Sequence, residues 1–188
     1  WFIGEYPAFA QGMGGREVRN GKDHGQIFDH HFVEFTYPSG AVISSQCRHQ
    51  KGTMSRVDEA FQGTKGSIVM SKGEIKNISG DITYTYPNTN YWDSDVEPNP
   101  YQVEHDRLFE SIRNGNVISN AEYGAKSTLA AIMGRMATYT GKKLKWDDVM
   151  NSKEILVPEN LSWNSVPPTI PDSDGNYTIA KPGITKFI

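Results

Sequence analysis

The stretch Asp29–His49, DHHFVEFTYPSGAVISSQCRH, decides the fold. Two alternating apolar–polar runs flank Pro38-Ser39-Gly40. Proline suits the second position of a type I turn, and Gly40 can take the left-handed conformation that follows. This is the signature of a three-residue hairpin loop with a G1 bulge. Such a loop pairs Tyr37 with Ala41, Phe35 with Ile43 and Val33 with Ser45, which gathers the apolar side chains on one face. A two-residue loop at Ser39-Gly40 would set Phe35 opposite Ser44 instead. A one-residue slip turns every side chain to the other face, so the pattern selects the first register.

Working outward, further strands are expected at Ala8–Met13, Val57–Thr64, Ser67–Met70 and Glu74–Ile78, with a turn at Lys72-Gly73. A first helix opens at Asn99-Pro100, a capping residue followed by a proline suited to the first helical position, and stops at Gly115. Its Tyr101, His105, Leu108, Phe109 and Ile112 recur at helical spacing and predict a stripe facing the sheet. A second helix starts near Ser119 or Asn120, runs through Leu129, Ile132, Met133 and Met136, and ends before Gly141. Glu122 and Lys126 sit one turn apart on its flank. A short turn at Trp146–Met150 follows. Pro158, Pro167, Pro168, Pro171 and Pro182 then punctuate a tail, residues 151–188, that cannot be helical. Segregated strands and helices predict an α+β fold: one mainly antiparallel open sheet of six or so strands, with helices on one face and an extended Pro-rich C-terminal tail.

The composition narrows the function. The 188 residues carry 19 Lys plus Arg against 22 Asp plus Glu, a net charge of −3. No basic excess supports a nucleic-acid footprint, and no apolar run reaches the ~18 residues of a membrane helix. A single cysteine, Cys47, excludes an internal disulfide framework and a multi-cysteine zinc site. The opening Trp1-Phe2-Ile3 reads like the interior of a longer protein.

Four features carry candidate chemistry. Gly12-Met13-Gly14-Gly15-Arg16 looks like a phosphate loop, but a dinucleotide loop must end a strand and open a helix, and Val18-Arg19-Asn20-Gly21-Lys22 does not begin one. Its glycines could bring backbone close to a ligand, with Arg16 as a clamp for an anion or a hydroxyl-rich substrate; the plainer reading is a strand-end bulge with a solvated arginine. Asp29, His30, His31, Cys47 and His49 form the densest polar cluster. The register sets His31 against Cys47 and Asp29 against His49 on one side of the sheet. The spacing matches no standard metal motif, and a hydrogen-bonded patch in which Asp29 orients a histidine is the expected outcome, with no metal bound. His105 lies on the apolar stripe beside Tyr101, flanked by Glu104 and Asp106. Either it is a satisfied core residue or it reaches a polar pocket at the helix N-terminus. Finally, Tyr84, Tyr86, Tyr91 and Trp92 crowd Asp81–Asn99, read as an aromatic loop pinned over the core, whose rings could otherwise stack on sugars.

Several segments together resemble a known family. They are Gly12–Arg19, Ile27–Phe35, Ser45–Arg48, Gly63-Thr64-Lys65-Gly66, Asn99–His105, Ile112–Gly115, Ala121-Glu122, Gly134–Ala137, Thr140-Gly141-Lys142 and Trp146-Asp147. Their order and spacing resemble the C-terminal domain of the Gfo/Idh/MocA oxidoreductases (glucose–fructose oxidoreductase, inositol dehydrogenase and relatives), in particular a Bacteroidetes-type bacterial branch, over nearly the whole chain. The resemblance implies that residues 1–188 are one domain, joined in the full protein to an N-terminal Rossmann domain that binds NAD or NADP. It also implies that the open sheet face packs against another subunit. The family's Glu-Lys-Pro triplet is not matched by Ala180-Lys181-Pro182, which lacks the glutamate. Its G-x-x-x-D-x-x-x-H pattern is only approached by Gly25 and Asp29, with Val33 where histidine should stand.

The expected function is therefore the substrate-binding and oligomerisation domain of an NAD(P)-dependent sugar or cyclitol oxidoreductase, inactive alone. Arg16, His31, Tyr101 and His105 are the candidate substrate-binding residues, and no catalytic, cofactor or metal residue is assigned in this chain. Expected partners are a sugar or cyclitol, the Rossmann domain, and a second copy forming a homodimer or tetramer, with no nucleic acid and no membrane. The alternatives are part of an NAD-dependent glycoside hydrolase of the same fold, or a non-catalytic assembly module.

Overall fold

The computed structural model describes residues 2–87 and 99–186. The fold is α+β, with eight strands in two antiparallel sheets and three helices among the described residues. The chain divides into two compact units, one holding residues up to Gly52 and from Asn120 on, the other Thr53–Ser119.

In the first unit, β1 (Phe9–Gly15), β2 (His30–Thr36), β3 (Val42–Arg48) and the two-residue β8 (Leu144–Lys145) lie in the order β3-β2-β1-β8. The hairpin has the expected register, with Phe35 opposite Ile43, Val33 opposite Ser45 and His31 opposite Cys47. Tyr37 N–H donates to the Ala41 carbonyl at 2.9 Å, and Gly40 takes φ +86°, which only glycine adopts freely. The helix α2 (Ala121–Thr140) lies across β1 and β2. Met133, Met136 and Ala137 from α2 meet Ala10, Val33, Leu144 and Val149, and this cluster is the core. Gly134 lets the helix settle, because a Cβ there would stand 2.9 Å from the Phe35 ring. Gly12 does the same for β1, where a Cβ would meet the Phe32 carbonyl oxygen at 2.4 Å and the Thr138 methyl at 3.0 Å. The short helix α3 (Trp146–Met150) follows β8 and contributes Val149.

The tail beyond α3 forms no helix or strand among its described residues. Near its end it returns to α2: Gly183 N–H donates to the Thr140 carbonyl at 2.8 Å, over the left-handed Gly141 that closes the helix. Trp163, between these anchors, is fully exposed.

The second unit holds β4 (Ala60–Gly63), β5 (Gly66–Val69), β6 (Glu74–Asn77) and β7 (Ile82–Thr85) in sequential order, and α1 (Pro100–Asn114). The α1 ends are as the sequence specifies. The Asn99 side chain accepts the Tyr101 N–H, and Gly115 takes the left-handed conformation at φ +67°.

Three expectations are corrected. The strands form two four-stranded sheets rather than one larger one. Among the described residues the α1 stripe is not buried on the sheet of its own unit: Tyr101, Leu108, Phe109 and Ile112 remain exposed, and no apolar side chain of this unit is fully buried. Helical periodicity identifies an apolar face but does not specify what meets it. Third, Ile82–Thr85 is a strand with Tyr84 exposed, not the start of a pinned loop. Tyr91 and Trp92 lie outside the described residues.

Because Met133 is wholly enclosed by the core, Met133→Ala should lower the unfolding free energy by about 2–5 kcal/mol in chemical denaturation. A loss below about 1 kcal/mol would mean that α2 is not the lid of the core.

Candidate functional site

The polar cluster at the β2–β3 end of the first sheet begins with Asp29, which is 3% exposed. Its Oδ2 accepts three consecutive backbone N–H groups, from Glu17 at 2.8 Å, Val18 at 2.7 Å and Arg19 at 2.9 Å. Its Oδ1 meets His30 Nδ1 at 2.8 Å. Burial raises the carboxyl pKa, but the Arg19 amide, His30 and the other two amides outweigh it and hold the group well below the usual carboxylate range. The chain segment after Gly15 is therefore a true anion-binding nest of successive amides, and the anion in it is the protein's own Asp29.

Arg16 completes this loop. Its guanidinium donates to the carbonyls of Arg19 and Gly25, and to that of Gly21 at 2.8 Å. The side chain expected to clamp a substrate is engaged in holding the loop from Arg19 to Gly25. The glycines before it sit within β1 and serve close packing. A Cβ on Gly14 would stand 2.7 Å from the His30 carbonyl oxygen and 3.3 Å from His31 Nδ1.

His31 occupies the space that Gly14 leaves open. It is half-buried, with Nδ1 2.9 Å from Thr138 Oγ1 on α2. Its ring lies 6.1 Å from Tyr139 in a stacked arrangement and 5.7 Å from Phe28, and Phe28 packs on Tyr139 at 4.4 Å. Tyr139 is fixed in turn, because its hydroxyl accepts the Phe28 N–H at 3.2 Å and the Arg135 guanidinium lies 4.5 Å from its ring centre. Burial, together with the nearby charges of His30 and Arg135, depresses the His31 pKa against the opposing pull of Asp29. Its Nε2 has no hydrogen-bond partner among the described residues and is reachable by solvent. The arrangement is an imidazole biased toward its uncharged form on an inner strand of the sheet, walled by aromatic rings, with one nitrogen open.

The remaining candidates fall elsewhere. Cys47 lies opposite His31 but is exposed, and His49 is exposed and tied through its backbone, its N–H to the Asp29 carbonyl and its carbonyl to Arg19 Nε at 3.0 Å. Asp29 thus orients His30 rather than His49. Tyr101 and His105 stand on α1 in the second unit, both exposed, with His105 Nδ1 2.6 Å from the Tyr101 carbonyl. His105 is not a core residue. Among the described residues no group of three His, Cys, Asp or Glu side chains could hold a metal ion. Sequence reasoning missed Phe28, Arg135, Thr138 and Tyr139. The usable signal was the run Thr138-Tyr139-Thr140, hydroxyl-bearing residues ending an apolar helix on its buried side.

No protein-family model matches the chain, and no curated protein matches it.

The site generates two predictions. The unfolded chain takes up more protons than the folded one as pH falls below the ordinary aspartate value of about 4. The stabilisation from Asp29 is therefore complete above that pH and is lost progressively below it. Asp29→Asn should flatten the dependence of stability on pH between about 4 and 2 in acid denaturation; an unchanged slope would contradict the nest. In an NMR titration, His31 should have its midpoint below the usual histidine value of about 6.5, and a midpoint at or above that value would contradict the burial described.

Proposed function

We propose that this chain is the substrate-binding and oligomerising part of an NAD(P)-dependent oxidoreductase acting on the CH–OH groups of a sugar or cyclitol. The nicotinamide nucleotide would be held by a separate dinucleotide-binding domain. The reading is carried by the His31 environment. A sugar or cyclitol ring has an apolar face of C–H groups and a rim of hydroxyls. The aromatic walls of Phe28 and Tyr139 suit the first and the open imidazole nitrogen suits the second. The residue resemblance to the Gfo/Idh/MocA C-terminal domain supports the same reading. Hydride transfer belongs to the cofactor and its binding fold, and the glycines that look like a phosphate loop lie within β1, with their following amides occupied by Asp29.

Calorimetry of the 188-residue chain against aldoses, polyols, inositols, NAD and NADP tests this. The expected result is weak polyol binding that His31→Ala abolishes, with no nucleotide binding. Micromolar binding of NAD or NADP, or no heat with any polyol at millimolar concentration, would overturn the reading.

The oligomeric part of the proposal rests on the sheet face opposite α2, which carries Phe32, Glu34 and Thr36 on β2 and Val42, Ser44 and Gln46 on β3. Val42 is 53% exposed and Met13, on the neighbouring strand, 73%. A semi-apolar face of this kind suits a twofold contact between identical chains. Light scattering should show a dimer or a dimer of dimers, and Val42→Arg should yield monomer, because an unpartnered buried charge costs several kcal/mol. A monomeric unaltered chain at high micromolar concentration would contradict the contact.

A further inference from the structure

The hydrogen-bond chain behind His31 has a direction. Thr138 is fully buried, with no exposed surface. Its hydroxyl has a single proton, and Oγ1 donates it to the Arg135 carbonyl at 2.9 Å, within the same helix. With that proton on the carbonyl, Oγ1 turns a lone pair toward the imidazole nitrogen 2.9 Å away, which pairs with a hydrogen on that nitrogen. We infer that Thr138 fixes His31 in the Nδ1–H tautomer, so that the solvent-facing Nε2 is an acceptor and takes a hydrogen bond from a free hydroxyl of the ligand. Thr138 is then a positioning residue, and His31 the residue that touches the ligand.

This goes beyond the proposed polyol site and rests on it for the identity of the ligand, but the direction of the bond stands on the protein alone. Several features keep the imidazole from escaping the constraint. Gly14 on the adjoining strand offers the space for this ring position and no side chain to compete for Nδ1. Tyr139 and Phe28 limit ring rotation from their two positions beside it. Tyr139 is itself held by the Phe28 amide and the Arg135 guanidinium. The uncharged state of His31 favoured by its surroundings leaves the Nε2 lone pair available near neutral pH. An acceptor-only contact also sets specificity. A hydroxyl donates to it, whereas a ligand with an ether or carbonyl oxygen at that position meets lone pair with lone pair and is rejected.

Long-range proton–nitrogen correlation spectra of the histidine rings in the whole chain test the inference. In the unaltered protein and in Thr138→Ser, which keeps the hydroxyl, Nε2 of His31 should resonate in the unprotonated range and Nδ1 in the protonated range. Thr138→Val keeps the volume and removes the acceptor, and it should shift His31 toward the Nε2–H form. An Nε2–H ring in the unaltered protein would overturn the inference, as would an unchanged tautomer in a folded Thr138→Val protein. The spectrum of the unaltered protein is decisive even where the valine variant fails to fold. The two proposals fail separately. The Nδ1–H form with no polyol binding would sink the proposed function and leave the tautomer standing. The Nε2–H form with polyol bound would do the reverse.

Discussion

The approach of α2 to β1 and β2 is the constraint on which the first unit depends. It is set by residues that have almost no side chain. Gly134 and Ala137 on the helix and Ala10 and Gly12 on the sheet let the two surfaces close until Phe35 touches Gly134 and the Thr138 methyl reaches the Gly12 backbone. Larger residues at these positions would force the helix outward, and close-packed interiors absorb such changes poorly. With the helix seated, Met133 fills the centre of the core. About one and a half turns further on, the same helix presents Thr138 and Tyr139 to His31 and Phe28. The candidate site is a consequence of where the helix ends, not a separate construction.

A second constraint holds the other side of the site. Three amides and one histidine converge on Asp29, while Arg16 ties the carbonyls of the same loop. Between them they satisfy both polarities of a segment with no regular structure, which a loop lying against a sheet must do somehow. The buried carboxylate is compatible with folding because every lone pair that matters has a donor. The loop also fixes the end of β2 from which His31 projects. In chemical terms the segment is an anion receptor, but its anion is internal. The glycine-rich stretch that resembles a phosphate cradle leads here into amides that hold the protein's own carboxylate.

Local signals were legible in the sequence and long-range ones were not. The hairpin register followed from Pro38, Gly40 and the alternation around them, and the helix ends followed from Asn99, Pro100, Gly115 and Gly141, because each is decided within a few residues. The strand Ile82–Thr85 was hidden by its tyrosine and threonines, which read equally well as an aromatic loop. The α1 stripe was visible as a pattern, yet its exposure was not, since burial depends on what else the chain brings near. At the site, Asp29 and His31 stood out by residue type and pairing. Their true partners did not, because Glu17–Arg19 contribute backbone amides that no residue name advertises. Thr138 and Tyr139 arrive from more than a hundred residues away. Arg16 was noticed for its charge, and only the tertiary structure reveals that its donors are turned inward.

His31 stands on β2, an inner strand of the sheet that α2 covers, so the folded chain itself holds the imidazole and its open nitrogen in place. Native-state hydrogen exchange resolved to single amides tests this directly. The account predicts that β1, β2 and the second half of α2 exchange together and most slowly, through a common unfolding step, and that the amides of β4–β7 and α1 exchange faster. Exchange of the β2 amides around His31 at the rates of the second unit would contradict it.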